Sequence, residues 1–239
     1  MAEAGCKPHR TRIKICGLTR EADVDAAVQA GADAIGFVLY EKSPRAVSLP
    51  RAVQLAQRLP VFVTPVLLLV NQDTPDLIAL CADSMPAIPR FCLQFHGDES
   101  PEQCAAAHMP YLRAARIPRG GEASFDLVKF CQDYRAAQAI LVDAHVDGYG
   151  GGGKTFDWSA IEWSHPEISA GSRIVLSGGL SPANVGEAIS RVRPWAVDVS
   201  SGVELDAAGG GTQKGLKSPE KINQFIAAVR HADERLSKS

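Results

Sequence analysis

The chain has 239 residues, 46% of them hydrophobic and 22% charged, enough to bury a sizeable core beneath a charged surface. Lys+Arg 25 against Asp+Glu 27 leaves a net charge of -2, which excludes the basic footprint of a nucleic-acid or membrane binder. Six cysteines without C-x-x-C or paired spacing argue for reduced thiols in a cytoplasmic chain, not a disulfide framework or a zinc site.

No apolar segment follows the N-terminal basic residues Lys7, Arg10 and Arg12, so no signal peptide is expected, and residues 1–11 read as an arm. The longest apolar run, 61–70, is too short to span a bilayer and is interrupted by Thr64 and Pro65. From there the pattern is repetitive. Eight short, nearly continuous apolar runs are expected as strands: 13–16, 34–39, 66–70, 91–95, 111–115, 139–142, 174–176 and 196–199. The third is taken to begin after Pro65, because proline cannot donate within a sheet. Between the runs lie helix-start signals: Thr74-Pro75, Ser100-Pro101, Ser181-Pro182 and Ser218-Pro219 each pair an N-cap hydroxyl with a proline at the first helical position. Gln103 adds a capping box to Ser100. Residues 205–214 are expected as a flexible glycine-rich loop, and residues after His231 as a polar tail.

Eight strand–helix units in about 250 residues predict one (β/α)₈ barrel over residues 1–239; an open doubly wound sheet is the alternative. A barrel puts its chemistry at the C-terminal ends of strands and its phosphate site on the loops after strands seven and eight. Cys16 ends strand one, where a thiolate could serve as a base; the other cysteines lie in apolar or helical settings where a thiol is usually inert packing. Asp143 follows strand six, and the glycine-rich stretch 148–153 after it starts no helix at once, leaving a carboxyl at the rim that burial could keep protonated. Three glycine clusters sit at strand ends: 150–153, Ser177-Gly178-Gly179, and Ser200-Ser201-Gly202. None has the spacing of a nucleotide loop, so the ligand phosphate is expected to be a monoester on a small molecule. Arg45, after strand two, suits a carboxylate, and His96 closes strand four without a second histidine at metal-ligand spacing.

Read in order, Lys14-Ile15-Cys16-Gly17, Ser43-Pro44-Arg45, Gln94-Phe95-His96-Gly97-Asp98, Leu141-Val142-Asp143, Phe156-Asp157-Trp158, Gly178-Gly179-Leu180 and Asp198-Val199-Ser200-Ser201-Gly202-Val203-Glu204 resemble the phosphoribosylanthranilate isomerase family of tryptophan biosynthesis. The resemblance runs from about residue 13 to residue 230. It implies an Amadori rearrangement without metal or organic cofactor, Cys16 as general base and Asp143 as general acid. It also implies that Arg45 holds the anthranilate carboxylate, that His96 shares the cleft, and that Gly151, Gly153, Gly178, Gly179, Ser201 and Gly202 hold the phosphate. The implied partner is the small-molecule substrate, with the chain a monomer or homodimer. Three departures stand out: Gly152 where the family carries Thr or Ser, Ser177 where it often has Ala, and an apparent insertion at 207–212. Cys16 speaks against the related histidine-pathway isomerase, which resembles this plan with an aspartate there. A catalytically silent barrel that binds a phosphorylated metabolite is the reading from another class.

Overall fold

The computed structural model describes residues 10–73, 91–118, 125–144 and 157–238. Within them eight parallel strands close a barrel in chain order: β1 Arg12–Cys16, β2 Ala34–Val38, β3 Thr64–Leu69, β4 Cys92–Phe95, β5 Tyr111–Ile117, β6 Ala139–Ala144, β7 Ile174–Leu176 and β8 Ala196–Val199. The β1–β8 pairing, from Arg12↔Ala196 to Ile15↔Val199, makes the closure and decides the fold against an open sheet.

The two-residue period of a strand sorts side chains between two cores. Ile13, Ile15, Leu93, Phe95, Ile140, Val142, Val197 and Val199 point outward under the helices. Val66, Leu112, Ala114, Leu141, Val175 and Ala196 fill the interior with smaller groups. The same parity turns Lys14, Cys16, Asp143 and Asp198 inward, so the alternation itself delivers polar groups to the barrel lumen.

Helix starts follow the capping chemistry in two of the expected places. Ser100 caps Pro101–Ala105 in a full capping box with Gln103, and Ser218 caps Pro219–Leu236 by accepting from the Lys221 N–H. Ser181-Pro182 instead opens a turn, and the helix Val185–Val192 begins three residues later; the Asn184 side chain accepts from the Ser181 N–H and so holds that turn. Thr74-Pro75 lies outside the described residues.

Other expectations are corrected. β3 starts at Thr64 and includes Pro65. The Thr64 N–H donates to Asp33 O, so alternation turns the Pro65 nitrogen toward β4, where pairing begins only at Val66↔Cys92 and no donor is missed. The stretch 205–214 belongs to an antiparallel hairpin of β9 Glu204–Asp206 and β10 Thr212–Lys217, turned by left-handed Gly210 and Gly211. The expected tail is helical to Leu236. It is held because Asp233, buried, accepts from both the Thr11 N–H at 2.9 Å and the Thr11 hydroxyl at 2.6 Å.

Candidate active site

β1 carries Cys16 to the C-terminal mouth, where it is buried and faces Gly36 of β2 in register. A Cβ on Gly36 would stand 2.7 Å from the Cys16 sulfur, so only glycine leaves room for the thiol. Burial pushes the thiol up from its ordinary value; the cations of Lys14 and Lys217 pull it down, and the Asp198 carboxylate opposes them.

Asp143 stands on the far side of the barrel, within β6 and not beyond it: the strand runs one residue further, pairing Asp143 with Arg116 of β5. Its Oδ2 lies 3.3 Å from His96 Nε2, and His96 Nδ1 lies 3.0 Å from Gln94 Nε2. His96 thus bridges the Gln94 amide and the Asp143 carboxyl.

Arg45 lies buried in the turn after β2, its stem over Gly17, where a Cβ would meet Arg45 Cδ at 2.6 Å. Its Nε and Nη2 donate to both oxygens of Glu204, at 2.6 and 2.9 Å, the fork geometry that fits a carboxylate. Among the described residues Nη1 makes no hydrogen bond. Glu204 is fully buried and also accepts from the Gly215 N–H, the Thr212 hydroxyl and Lys217 Nζ. Burial alone would raise its carboxyl, yet Arg45, Lys217 and the Gly215 amide overcome this and hold it at about 2. Burial in turn lowers Lys217 to about 8 against the pull of Glu204. Lys217 also donates to Ser200 O at 2.9 Å, so one carboxylate and one ammonium tie Arg45, the hairpin and the loop after β8 together.

The loops after β7 and β8 meet backbone to backbone. Gly178 and Gly179 adopt φ of 81° and 67°, the left-handed region that glycine enters without strain. A Cβ on Gly202 would come within 1.9 Å of Leu180 O. Ser201 opens the 3₁₀ turn Ser201–Val203 that follows. One cavity is lined by Cys16, Arg45, His96, Asp143, Gly178, Gly179 and Ser201, which brings together most of the residues expected from sequence. Gly202 is buttressed just behind it, and Gly151 and Gly153 lie outside the described residues. A larger cavity of about 880 Å³ opens near the starts of β6 and β7, by Arg135, Arg173 and Trp195, and holds none of the expected catalytic groups.

Lys14, Asp198 and Glu204 stand within the motifs quoted above without a role, and Lys217 is not among them. Lys14 Nζ is 2.7 Å from Asp198 Oδ1, and Ser177 donates to Asp198 Oδ2 at 3.0 Å. A readable signal existed: a lysine and an aspartate inside otherwise apolar strands are buried only when paired.

Fold and cleft define a (β/α)₈-barrel enzyme with a thiol and a carboxyl facing one cavity at the C-terminal mouth. Family comparison carries this further. The family described as N-(5'phosphoribosyl)anthranilate (PRA) isomerase matches residues 13–228. A relative named N-(5'-phosphoribosyl)anthranilate isomerase from Methylibium petroleiphilum is 57% identical over 230 residues, covering 96% of this chain and 99% of the relative. The solved phosphoribosyl anthranilate isomerase of Thermotoga maritima superposes with a TM-score of 0.78 at 36% identity, covering 93% of this chain and 100% of that one. Monomers generated from the dimeric Thermotoga maritima protein give 0.75 at 33% identity, with the same shares covered. A phosphoribosyl anthranilate isomerase in complex with reduced 1-(o-carboxyphenylamino)-1-deoxyribulose 5-phosphate gives 0.71 at 32%, again over 93% and 100%. The chain belongs to the N-(5'-phosphoribosyl)anthranilate isomerase family.

Proposed function

We propose that this chain isomerises N-(5'-phosphoribosyl)anthranilate to 1-(2-carboxyphenylamino)-1-deoxyribulose 5-phosphate in tryptophan biosynthesis, with Cys16 as general base and Asp143 as general acid. The observation that carries the reading is the single cavity shared by the Cys16 thiol, the Asp143 carboxyl, Arg45 and the paired glycine loops.

Asp143 gives a proton to the furanose ring oxygen; the C1–O bond breaks and the nitrogen lone pair forms the C=N bond. Cys16 thiolate then takes the proton from C2, and that electron pair becomes the C1=C2 bond of an enolamine. Loss of the 2-hydroxyl proton and return of one proton to C1 give the aminoketose, so atoms and charge balance with protons alone. Each proton transfer is worth roughly 10²–10⁴-fold, and fixing the substrate at both ends supplies the rest. Arg45, oriented by Glu204, would meet the anthranilate carboxylate through Nη1. The amides of the 178–179 and 201–202 loops, with Gly151 and Gly153, would take the phosphate. His96 would orient the Asp143 carboxyl.

The test is loss of anthranilate-type fluorescence when freshly generated phosphoribosylanthranilate meets the protein. A folded chain that binds product analogue yet gives no turnover would leave only the silent-barrel reading.

The same reading puts the chain in the cytoplasm, as a monomer or a homodimer. Val61 and Phe62 stand 90% and 95% exposed just before β3, at the barrel end opposite the cleft, an apolar pair suited to a second copy.

A further inference from the structure

We propose that Lys14 is the positioning residue that makes a base of Cys16, its ammonium standing one layer beneath the thiol inside the barrel and favouring the thiolate. This rests on the assignment of Cys16 as base. Lys14 and Cys16 are two residues apart on β1, so both point into the lumen. They converge on one glycine: the Cβ position of Gly36 lies 2.7 Å from the Cys16 sulfur and 3.1 Å from Lys14 Nζ. The ammonium is 5% exposed and anchored at 2.7 Å by Asp198, which Ser177 holds from the other side.

Stability alone is a poor reason for such a pair. Desolvating two charges offsets most of their attraction, and apolar residues of similar volume often pack the same space as well or better. Elsewhere the lumen shows that choice, with Val66, Leu112, Leu141 and Val175 packed inside. What an apolar replacement cannot supply is a fixed positive charge beside the thiol. Burial would lower the Lys14 ammonium, but Asp198 and Cys16 together raise it, so the charge persists throughout the neutral range.

The groups facing Cys16 are few. Lys14 lies on its own strand, Asp198 on β8, Arg45 after β2, Lys217 on β10, and His96 and Asp143 line the same cavity. Lys14 itself is faced by Asp198, Cys16 and Cys92. Lys217 is already committed to Ser200 and Glu204, and its pull on the thiol is weaker than that of Lys14. Arg45 spends its fork on Glu204. Lys14 is therefore the cation whose geometry serves the thiol.

The experiment measures carbamidomethylation of Cys16 by iodoacetamide across pH 6–10, followed on the Cys16 peptide by mass spectrometry, beside the pH profile of turnover. Lys14→Met is compared with Lys14→Met/Asp198→Asn, which leaves no lone buried charge and so keeps the barrel foldable. The expected result is a rising limb displaced upward by about one pH unit or more in both assays, a loss of roughly tenfold at pH 7 that is regained at high pH, and an unchanged product Kd. Because Asp198 itself raises the thiol, the double variant is read against Asp198→Asn alone; if the two alkylate along the same limb, Lys14 does not govern the thiol, and the base assignment stands without it. If alkylation shifts while the turnover profile does not, Cys16 is not the base, and the positioning role falls with it.

Discussion

The two ends of this barrel are built from opposite materials. At the C-terminal mouth polar groups are buried together: Arg45 and Lys217 share Glu204, and Asp143 lies beside His96. Backbone there approaches backbone closely, as at Gly202 against Leu180. At the floor the lumen is apolar, with Leu112, Ala139 and Ala196 inside, while the rim carries the Thr11–Asp233 and Asp33 pairs and leaves Phe62 out in solvent. Buried charge and tight backbone contact converge on one cavity at the mouth, which is where a fold accepts cost for chemistry.

Substitutions at the mouth should therefore cost activity before stability. The largest effect belongs to Cys16→Ser and Asp143→Asn. Each is expected to lower single-turnover rate by about 10³-fold or more, while product Kd changes less than about threefold. A Cys16→Ser variant that turns over near the wild-type rate would remove the thiol from the mechanism. Next comes Gly202→Leu, whose Cβ would collide with Leu180 O and push the two loops apart. KM should rise about tenfold or more with a smaller change in kcat, and an unchanged KM in a folded variant would argue against phosphate binding there.

A third contrast is visible in acid. The Glu204 carboxyl, held at about 2 against an ordinary 4.5, contributes stability that is fully present above about pH 4.5 and is lost as pH falls toward 2. Glu204→Gln should flatten the stability–pH curve in that window, by up to roughly 3 kcal/mol, in chemical denaturation. A variant curve parallel to wild type would show that Glu204 titrates alike folded and unfolded. The smallest effect on catalysis is expected at the floor. Phe62→Ser should leave kcat and KM within about twofold and monomer stability within about 0.5 kcal/mol, while shifting sedimentation from dimer toward monomer. Wild-type protein that sediments as a monomer at micromolar concentration would exclude the dimer.

The same contrast explains what the sequence disclosed. Apolar runs and caps are local signals, so β7 and β8 match their expected bounds and Ser100 and Ser218 cap where expected. Cys16, Asp143 and His96 were legible because strand ends are recognisable and barrel topology assigns them to one rim. The pairs were not legible. Lys14 meets Asp198 across 184 positions and Arg45 meets Glu204 across 159, and no local pattern encodes which distant charge answers a buried one. The hairpin at 204–217 was hidden for a related reason: its glycines look like slack until the buried Glu204 carboxylate is seen fastening both of its strands.

The β1–β8 seam also governs when this chain becomes a protein. Its first strand finds its last partner only after β8 has emerged, and Thr11 finds Asp233 later still, near the end of the final helix. Until then a nascent chain carries two open sheet edges of apolar residues, the very surfaces that template aggregation. The finished fold has no such edge in its barrel. Its most vulnerable moment therefore falls on the ribosome, in the interval between synthesis of the seventh strand and arrival of the last helix.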